Sequence, residues 1–233
     1  MSTGDWSFDN EVCKDFDNHV AASVPGYELI HDYVVKLSQF YTHDYCCVLD
    51  IGCSTGTLIN RMIDANNGRS VNFFGVDKCH EMWEKAYNLV GKSGRGSRVT
   101  IDQYDAIAWF EEYSVPLQFI TCILTLQFMT YKDRKDLLRE CCDRLEKGGA
   151  MIVVEKILQE EGYDQKIFDD IYQEMKYENG LDKDSLFDKT MSLRGKMRPL
   201  TSKEDEELFY ESGFNKVIPF IQIGCFKGWI LSI

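Results

Sequence analysis

Three aspartates stand where apolar runs end: Asp50 after Cys46–Leu49, Asp77 after Val71–Val76, and Asp105 just beyond Val99–Gln103. The first opens a glycine turn, Asp50-Ile51-Gly52-Cys53-Ser54-Thr55-Gly56, placed where an open α/β sheet carries its ligand, at the end of a strand. A dinucleotide fingerprint needs glycines spaced GxGxxG; here those positions read Gly52, Ser54 and Thr57, with the second glycine at Gly56, so pyrophosphate binding is disfavoured. No Gly-Lys-Ser/Thr follows and the turn contains no lysine, which removes a Walker loop. A nucleoside without phosphates fits better. Asp77, 21 residues beyond Gly56, can accept both hydroxyls of a ribose, and Asp105 can accept from an adenine amino group. With Asp50 they make three acidic positions and no cationic one, which suits a positively charged ligand. S-adenosylmethionine, with its sulfonium and ammonium, meets that description. Each aspartate taken singly could instead cap a neighbouring helix. Cys53 has no basic partner nearby in sequence, so it reads as a packing residue and not a nucleophile.

The elements that must position these groups follow from periodicity. Leu29, Ile30, Tyr33, Val34, Leu37 and Phe40 recur at three and four residues and predict an amphipathic helix leading into a strand over Cys46–Ile51. Leu58–Ala65 has helical spacing, giving strand, glycine turn, helix. The unit repeats, with strands over Val71–Val76 and Val99–Gln103 around a helix over Glu81–Val90. Alternation of this kind implies a parallel sheet. Phe119–Leu124 is a nearly continuous apolar run, as for a strand covered on both faces. Arg134–Leu145 reads as a helix closed by Gly148-Gly149, and Met151–Val154 as a fifth strand. Beyond Glu155 an acidic insertion carries the helical stripe Ile167, Phe168, Ile171, Tyr172 and Met175 and ends at Asn179-Gly180. Glu204–Tyr210 predicts one more helix, and Val217–Ile221 with Gly228–Ile233 a closing strand pair.

Composition narrows the function further. With 233 residues, 44% of them hydrophobic, the chain can bury a sizeable core. Its 26 Lys and Arg stand against 38 Asp and Glu, and the net charge of -12 disfavours direct nucleic-acid binding. The longest apolar stretch, Phe119–Met129, is far shorter than the roughly 20 residues needed to cross a bilayer, so no membrane span is expected. The N-terminus lacks the basic start and apolar run of a signal peptide. Nine cysteines without CxxC spacing fit a reducing cytoplasm, and four scattered histidines give no metal-ligand spacing.

The chain resembles the carboxy-S-adenosylmethionine synthases of tRNA wobble-uridine modification, within the class I methyltransferase superfamily. The matching stretches are Gly4-Asp5-Trp6-Ser7-Phe8-Asp9, Ser23-Val24-Pro25-Gly26-Tyr27, Asp50-Ile51-Gly52-Cys53-Ser54, Thr125-Leu126-Gln127-Phe128, Gly148-Gly149-Ala150 and Glu155-Lys156. The resemblance runs nearly end to end. It implies one domain over 1–233 with a Rossmann-like, seven-stranded, mostly parallel sheet and an antiparallel last strand. An N-terminal helical segment (1–40) and a helical insertion over about 157–198 would flank the site, in a homodimer whose inserted helices help close it. It implies S-adenosylmethionine, S-adenosylhomocysteine or carboxy-S-adenosylmethionine as ligand, held by Tyr27, Gly52, Cys53, Ser54, Asp77, Lys78, Asp105 and Ala106.

Two departures bear on the chemistry. Matching from Asn179-Gly180 through Leu193 puts Thr190 where the family carries an arginine for the product carboxylate. Ile123 stands where the family has an asparagine two residues before Thr-Leu-Gln-Phe. Arg194 and Arg198 could supply the charge from one and two turns further on. Without a carboxylate clamp, methyl transfer to a small-molecule acceptor is the leading expectation, with Trp6 and Tyr27 as aromatic walls around the methyl. Carboxy-S-adenosylmethionine synthesis from prephenate is the alternative, and a ligand-binding regulator or scaffold without turnover the second.

Overall fold

The computed structural model describes residues 16–91, 98–182, 191 and 193–233. Helix α1 (Phe16–Ser23) and helix α2 (Tyr27–Tyr41) precede the sheet, and α2 buries Ile30 and Val34 on one face. Strand β1 (Cys47–Ile51) leads through the glycine turn into α3 (Thr57–Ala65). Strand β2 (Asn72–Val76) is followed by α4 (His80–Ala86), which continues as a π turn over Tyr87–Gly91, and β3 (Val99–Asp102) by α5 (Ala106–Glu112). Strand β4 (Leu117–Ile123), helix α6 (Tyr131–Arg144) and strand β5 (Leu145–Leu158) complete the parallel part. The inserted helix α7 (Gly162–Glu178) precedes β6 (Leu200–Thr201), α8 (Ser202–Glu211), β7 (Lys216–Ile223) and β8 (Phe226–Ser232).

The strands order as β3-β2-β1-β4-β5-β8-β7, with the two-residue β6 paired to β5. β1 pairs in parallel with both β2 and β4, while β8 runs antiparallel between β5 and β7. The expected antiparallel last strand is therefore present. The chain turns outward in both directions from β1, so the crevice between β1 and β4 at their C-terminal ends is the switch point where such sheets bind ligands. Alternate residues feed two cores: Leu49, Ile51 and Ile120 pack on one face with Leu137 and Trp229, and Val48 and Phe119 on the other with Val34 and Ile59. Burial on both faces explains why β4 reads as an unbroken apolar run.

Gly148-Gly149 does not close a helix. Helix α6 ends at Arg144, and the pair sits in an irregular stretch of β5, where the register jumps from Leu117 opposite Leu145 to Phe119 opposite Ala150. A Cβ on Gly149 would lie 2.6 Å from the Gln118 carbonyl oxygen, so glycine answers a close backbone approach there. The apolar stripe of α7 is also divided. Phe168, Tyr172 and Met175 are half-buried, while Ile167 and Ile171 are exposed. No helix among the described residues is long and apolar enough to cross a membrane.

Candidate functional site

The glycine turn is fixed by backbone hydrogen bonds to the neighbouring strand. Gly52 N and Cys53 N donate to Val76 O at 2.8 and 3.0 Å, and Gly56 N donates to Cys53 O at 2.9 Å. Gly52 has φ +68°, and a Cβ there would come within 2.9 Å of Thr125 Cγ2 and closer still to its hydroxyl. Ser54 (φ +52°) and Leu124 (φ +56°) are non-glycine residues held in the left-handed region. Both border one cavity of about 300 Å³, and strained backbone gathered at a cleft is a mark of function.

The strand-end carboxylates converge on this cavity. Asp77 accepts from Ser54 N through Oδ2 and from Cys79 N through Oδ1, each at 2.9 Å, so it ties the turn to the start of α4. Burial raises its pKa; the two N–H donors and Lys78 act against that rise. Each oxygen keeps a lone pair for a ligand. Asp50 is 3% exposed, and its Oδ1 accepts from the Thr121 hydroxyl at 2.6 Å. Its Oδ2 is buried and has no hydrogen-bond partner among the described residues. Burial pushes the Asp50 carboxyl up to about 7, with the Thr121 bond opposing and the Asp77 charge adding to the rise. Asp105 combines both of its sequence readings: it caps α5 by accepting from Ile107 N at 3.1 Å and borders the cavity beside Ala106. Lys78 also borders it. Cys53 is buried, and burial together with Asp50 and Asp77 lifts its thiol well above the ordinary range, which suits packing and not nucleophilic attack.

Helix α2 supplies another wall. Tyr27 lies against His31 with ring centroids 4.1 Å apart and the rings tilted by 48°, and burial followed by the Asp17 charge raises the Tyr27 phenol, which stays protonated. His31 is 2% exposed, and burial, then Arg61, pushes it down to about 4, so the ring is neutral at physiological pH. Its Nδ1 is buried and has no hydrogen-bond partner among the described residues. On the β4 side, Thr125–Gln127 is held by the buried Glu155 carboxylate, which accepts from Thr125 N (3.1 Å), Leu126 N (2.9 Å) and Gln127 N (2.7 Å). Burial and then Asp205 push Glu155 up to about 8, while Arg134 and these backbone donors oppose the rise. Gln127 Oε1 in turn accepts from Lys156 N at 3.0 Å.

The inserted segment closes the cavity with Tyr172 and Lys176 of α7 and with Leu193 and Met197. Arg194 and Arg198 do not border the cavity; both are exposed. Arg198 donates from its backbone N to Gln127 O (2.7 Å) and from Nε to Gly195 O (3.4 Å), and its carbonyl accepts from Arg134 Nη2. The apolar pair Leu193 and Met197, four residues apart, takes the cavity side and leaves the arginine pair outward; that spacing was available in the sequence. Trp6 and Thr190 lie outside the described residues. His31, Lys156 and Lys176 are cavity residues that the sequence reading did not select. Among the described residues no cluster of three potential ligands could hold a metal ion.

A family model described as a methyltransferase domain matches residues 48–149. The carboxy-S-adenosyl-L-methionine synthase of Staphylococcus epidermidis is 32% identical over 97% of this chain and 96% of its own length. Carboxy-S-adenosyl-L-methionine synthase 1 of Yersinia pseudotuberculosis is 30% identical over 97% and 92%. The chain belongs to the carboxy-S-adenosyl-L-methionine synthase family. As a member, it is a class I S-adenosylmethionine-dependent transferase, with S-adenosylmethionine or S-adenosylhomocysteine as cofactor. The orphaned Asp50 Oδ2 and the acidic strand ends fit that cationic group. Solved structures share the fold of this chain: an O-methyltransferase family protein from Burkholderia thailandensis (TM-score 0.68, 14% identity, 96% of this chain) and the mitomycin 7-O-methyltransferase MmcR (0.62, 14%, 100%). The chain spans 60% of the length of each.

Proposed function

We propose that the protein transfers a methyl group from S-adenosylmethionine to a small acceptor held between the glycine turn and the inserted helix. The observation that carries this reading is the single cavity joining Asp50, Asp77 and Asp105 at one end to Tyr172, Leu193 and Met197 at the other. When bound, S-adenosylmethionine supplies an electrophilic methyl on a sulfonium that needs no further activation. The chain's residues then bind, align and exclude water. Asp77 accepts from the ribose hydroxyls, Asp105 from the adenine amino group, and Asp50 Oδ2 from the ammonium. Gly52, Cys53, Ser54, Lys78 and Ala106 line the adenosyl side. Tyr27 presents a neutral aromatic wall to the cationic centre. His31, neutral and weakly basic, offers a hydrogen-bond acceptor and not a charge.

The relatives' printed names favour a second reading, synthesis of carboxy-S-adenosylmethionine. Against it stand Thr190, in place of the family's arginine, and Ile123, which turns an apolar side chain to the cavity. A homodimer is part of the proposal, supported by exposed Ile167 and Ile171 on α7. Free cysteines, most of them buried, support a cytoplasmic setting. The test is incubation with S-adenosylmethionine and either prephenate or a panel of small aromatic acceptors, followed by mass analysis. S-adenosylhomocysteine with a methylated acceptor, and no carboxylated product from native protein, is the expected result. Efficient carboxylated product from native protein and prephenate would replace the methyl-transfer reading with the second.

A further inference from the structure

Three buried charged residues act on one another beside the turn that follows β4: Arg134 in the first turn of α6, Glu155 of β5 and Asp205 in the first turn of α8. Arg134 is the joint. Its Nε donates to Met129 O at 3.3 Å and its Nη2 to Arg198 O, while Arg198 N donates to Gln127 O at 2.7 Å. Gln127 and Met129 border the cavity from the turn, and Met197 borders it from the inserted segment, so one guanidinium ties the cavity floor to the end of its cover. A planar, rigid fork suits two carbonyls held at once. The charges around it do not balance. Glu155 accepts from three backbone N–H groups, whereas both Asp205 oxygens are buried with no hydrogen-bond partner among the described residues. With both carboxyls ionised, two negative charges face one positive, and the surplus lies out of water. Burial pushes Asp205 up to about 7, with Arg134 and Lys227 opposing and Glu204 and Glu206 adding to the rise. Burial and then Asp205 take Glu155 to about 8. Lys227 is itself engaged by Glu206 Oε1 at 2.9 Å and Ser202 Oγ at 2.6 Å. Of the other groups acting on Arg134, Arg198 is exposed and the Cys122 thiol is kept neutral by burial. Raised pKa values mean that the packed cluster keeps a proton below about pH 7 and gives it up as pH rises through about 7 to 8. A second ionised carboxylate then competes with the two neutral carbonyls for the guanidinium, and charge-assisted hydrogen bonds are the stronger.

We propose that Arg134 is a positioning residue that clamps the inserted segment onto the cavity floor, and that one proton on the Asp205 and Glu155 pair sets whether the clamp holds. The clamp governs retention of the cofactor, whichever group is transferred. Protein saturated with S-adenosylhomocysteine is followed by hydrogen exchange over residues 193–200 at pH 6.5 and 8.5, corrected for the intrinsic pH dependence of exchange, beside calorimetric S-adenosylhomocysteine affinity. The Arg198 amide, bonded to Gln127 O, is the reporter. In native protein its protection should fall about tenfold between the two pH values, and affinity should fall with it. Asp205→Asn cannot form the second charge, so its protection should stay within about twofold of the native value at pH 6.5 under both conditions. Arg134→Lys keeps the charge but not the fork, and should already show at pH 6.5 the low protection of native protein at pH 8.5. The native comparison stands without either variant. Equal protection at the two pH values in native protein, the full native pH response in Asp205→Asn, or native protection in Arg134→Lys would overturn the clamp. Affinity that falls with pH while Arg198 protection stays constant would also overturn it, assigning the response to Asp50 or Asp77 in the adenosyl site. Absence of S-adenosylhomocysteine binding by native protein would overturn the clamp together with the adenosyl reading of the cavity, whereas normal binding with level protection would overturn the clamp alone.

Discussion

Asp50→Asn should make the ligand-free protein more stable and its complex weaker. The carboxyl is 3% exposed and is pushed from 3.8 to about 7, chiefly by burial. At about 1.36 kcal/mol per pKa unit, holding it ionised in the folded state costs up to ~4 kcal/mol at pH 8. The sign follows from the raised pKa: the folded state holds the proton more tightly than the unfolded state, so stability falls as pH rises from about 4 to about 7 and is level beyond. Asparagine retains an oxygen for the Thr121 hydroxyl but leaves an amide to be satisfied, which reduces the gain to roughly 1–3 kcal/mol at pH 8. For a chain of this size that is a rise in Tm of about 3–10 °C; the amide penalty does not change with pH while the ionisation cost falls to roughly 2 kcal/mol at pH 5.5, so there the gain should shrink to near zero. Scanning calorimetry at the two pH values reads both quantities. The same variant should bind S-adenosylmethionine more weakly by roughly 1.5–3 kcal/mol, because a charged acceptor for the ammonium is gone. A variant less stable than native at pH 8, or an equal gain at both pH values, would refute the reasoning that burial of this charge is unrelieved in the empty site.

Asp77→Ala should weaken S-adenosylhomocysteine binding by roughly 1.5–3 kcal/mol in isothermal calorimetry, since it removes the ribose acceptor and frees Ser54 N and Cys79 N together. Gly52→Ala should destabilise the fold by about 1–3 kcal/mol in urea unfolding, from positive φ and the clash with Thr125, and reduce adenosyl binding with it. Cys53 should remain unmodified by iodoacetamide in native protein at pH 8 and react only after unfolding, as read by peptide mass mapping.

What was legible in the sequence was local. The strand-turn-helix around Gly52, the switch to helical spacing after Gly56 and the carboxylates at successive strand ends are each encoded within a few residues, and the parallel pairing follows from their alternation, while the strand order comes only from the packed sheet. The closing hairpin was legible for the same reason. What was hidden depends on contacts far apart in sequence. His31, Lys156 and Lys176 come from α2, β5 and α7, and only the packed fold brings them to one cavity. Glu155 looked like the end of a strand, whereas it holds the Thr125–Gln127 backbone some 30 residues earlier in the chain. Gly148-Gly149 misled because glycine after a helical run is the usual helix stop, while here it serves a strand irregularity against Gln118. The choice between Leu193–Met197 and Arg194–Arg198 for the cavity side was open to the ordinary preference of apolar groups for the interior.

Native mass spectrometry of the freshly purified protein tests most directly whether this cavity is an adenosyl site. The expected result is a bound mass of S-adenosylmethionine or S-adenosylhomocysteine, released on denaturation and lost in Asp77→Ala. A nicotinamide dinucleotide in its place, or no uptake of S-adenosylmethionine when it is added in excess, would contradict it.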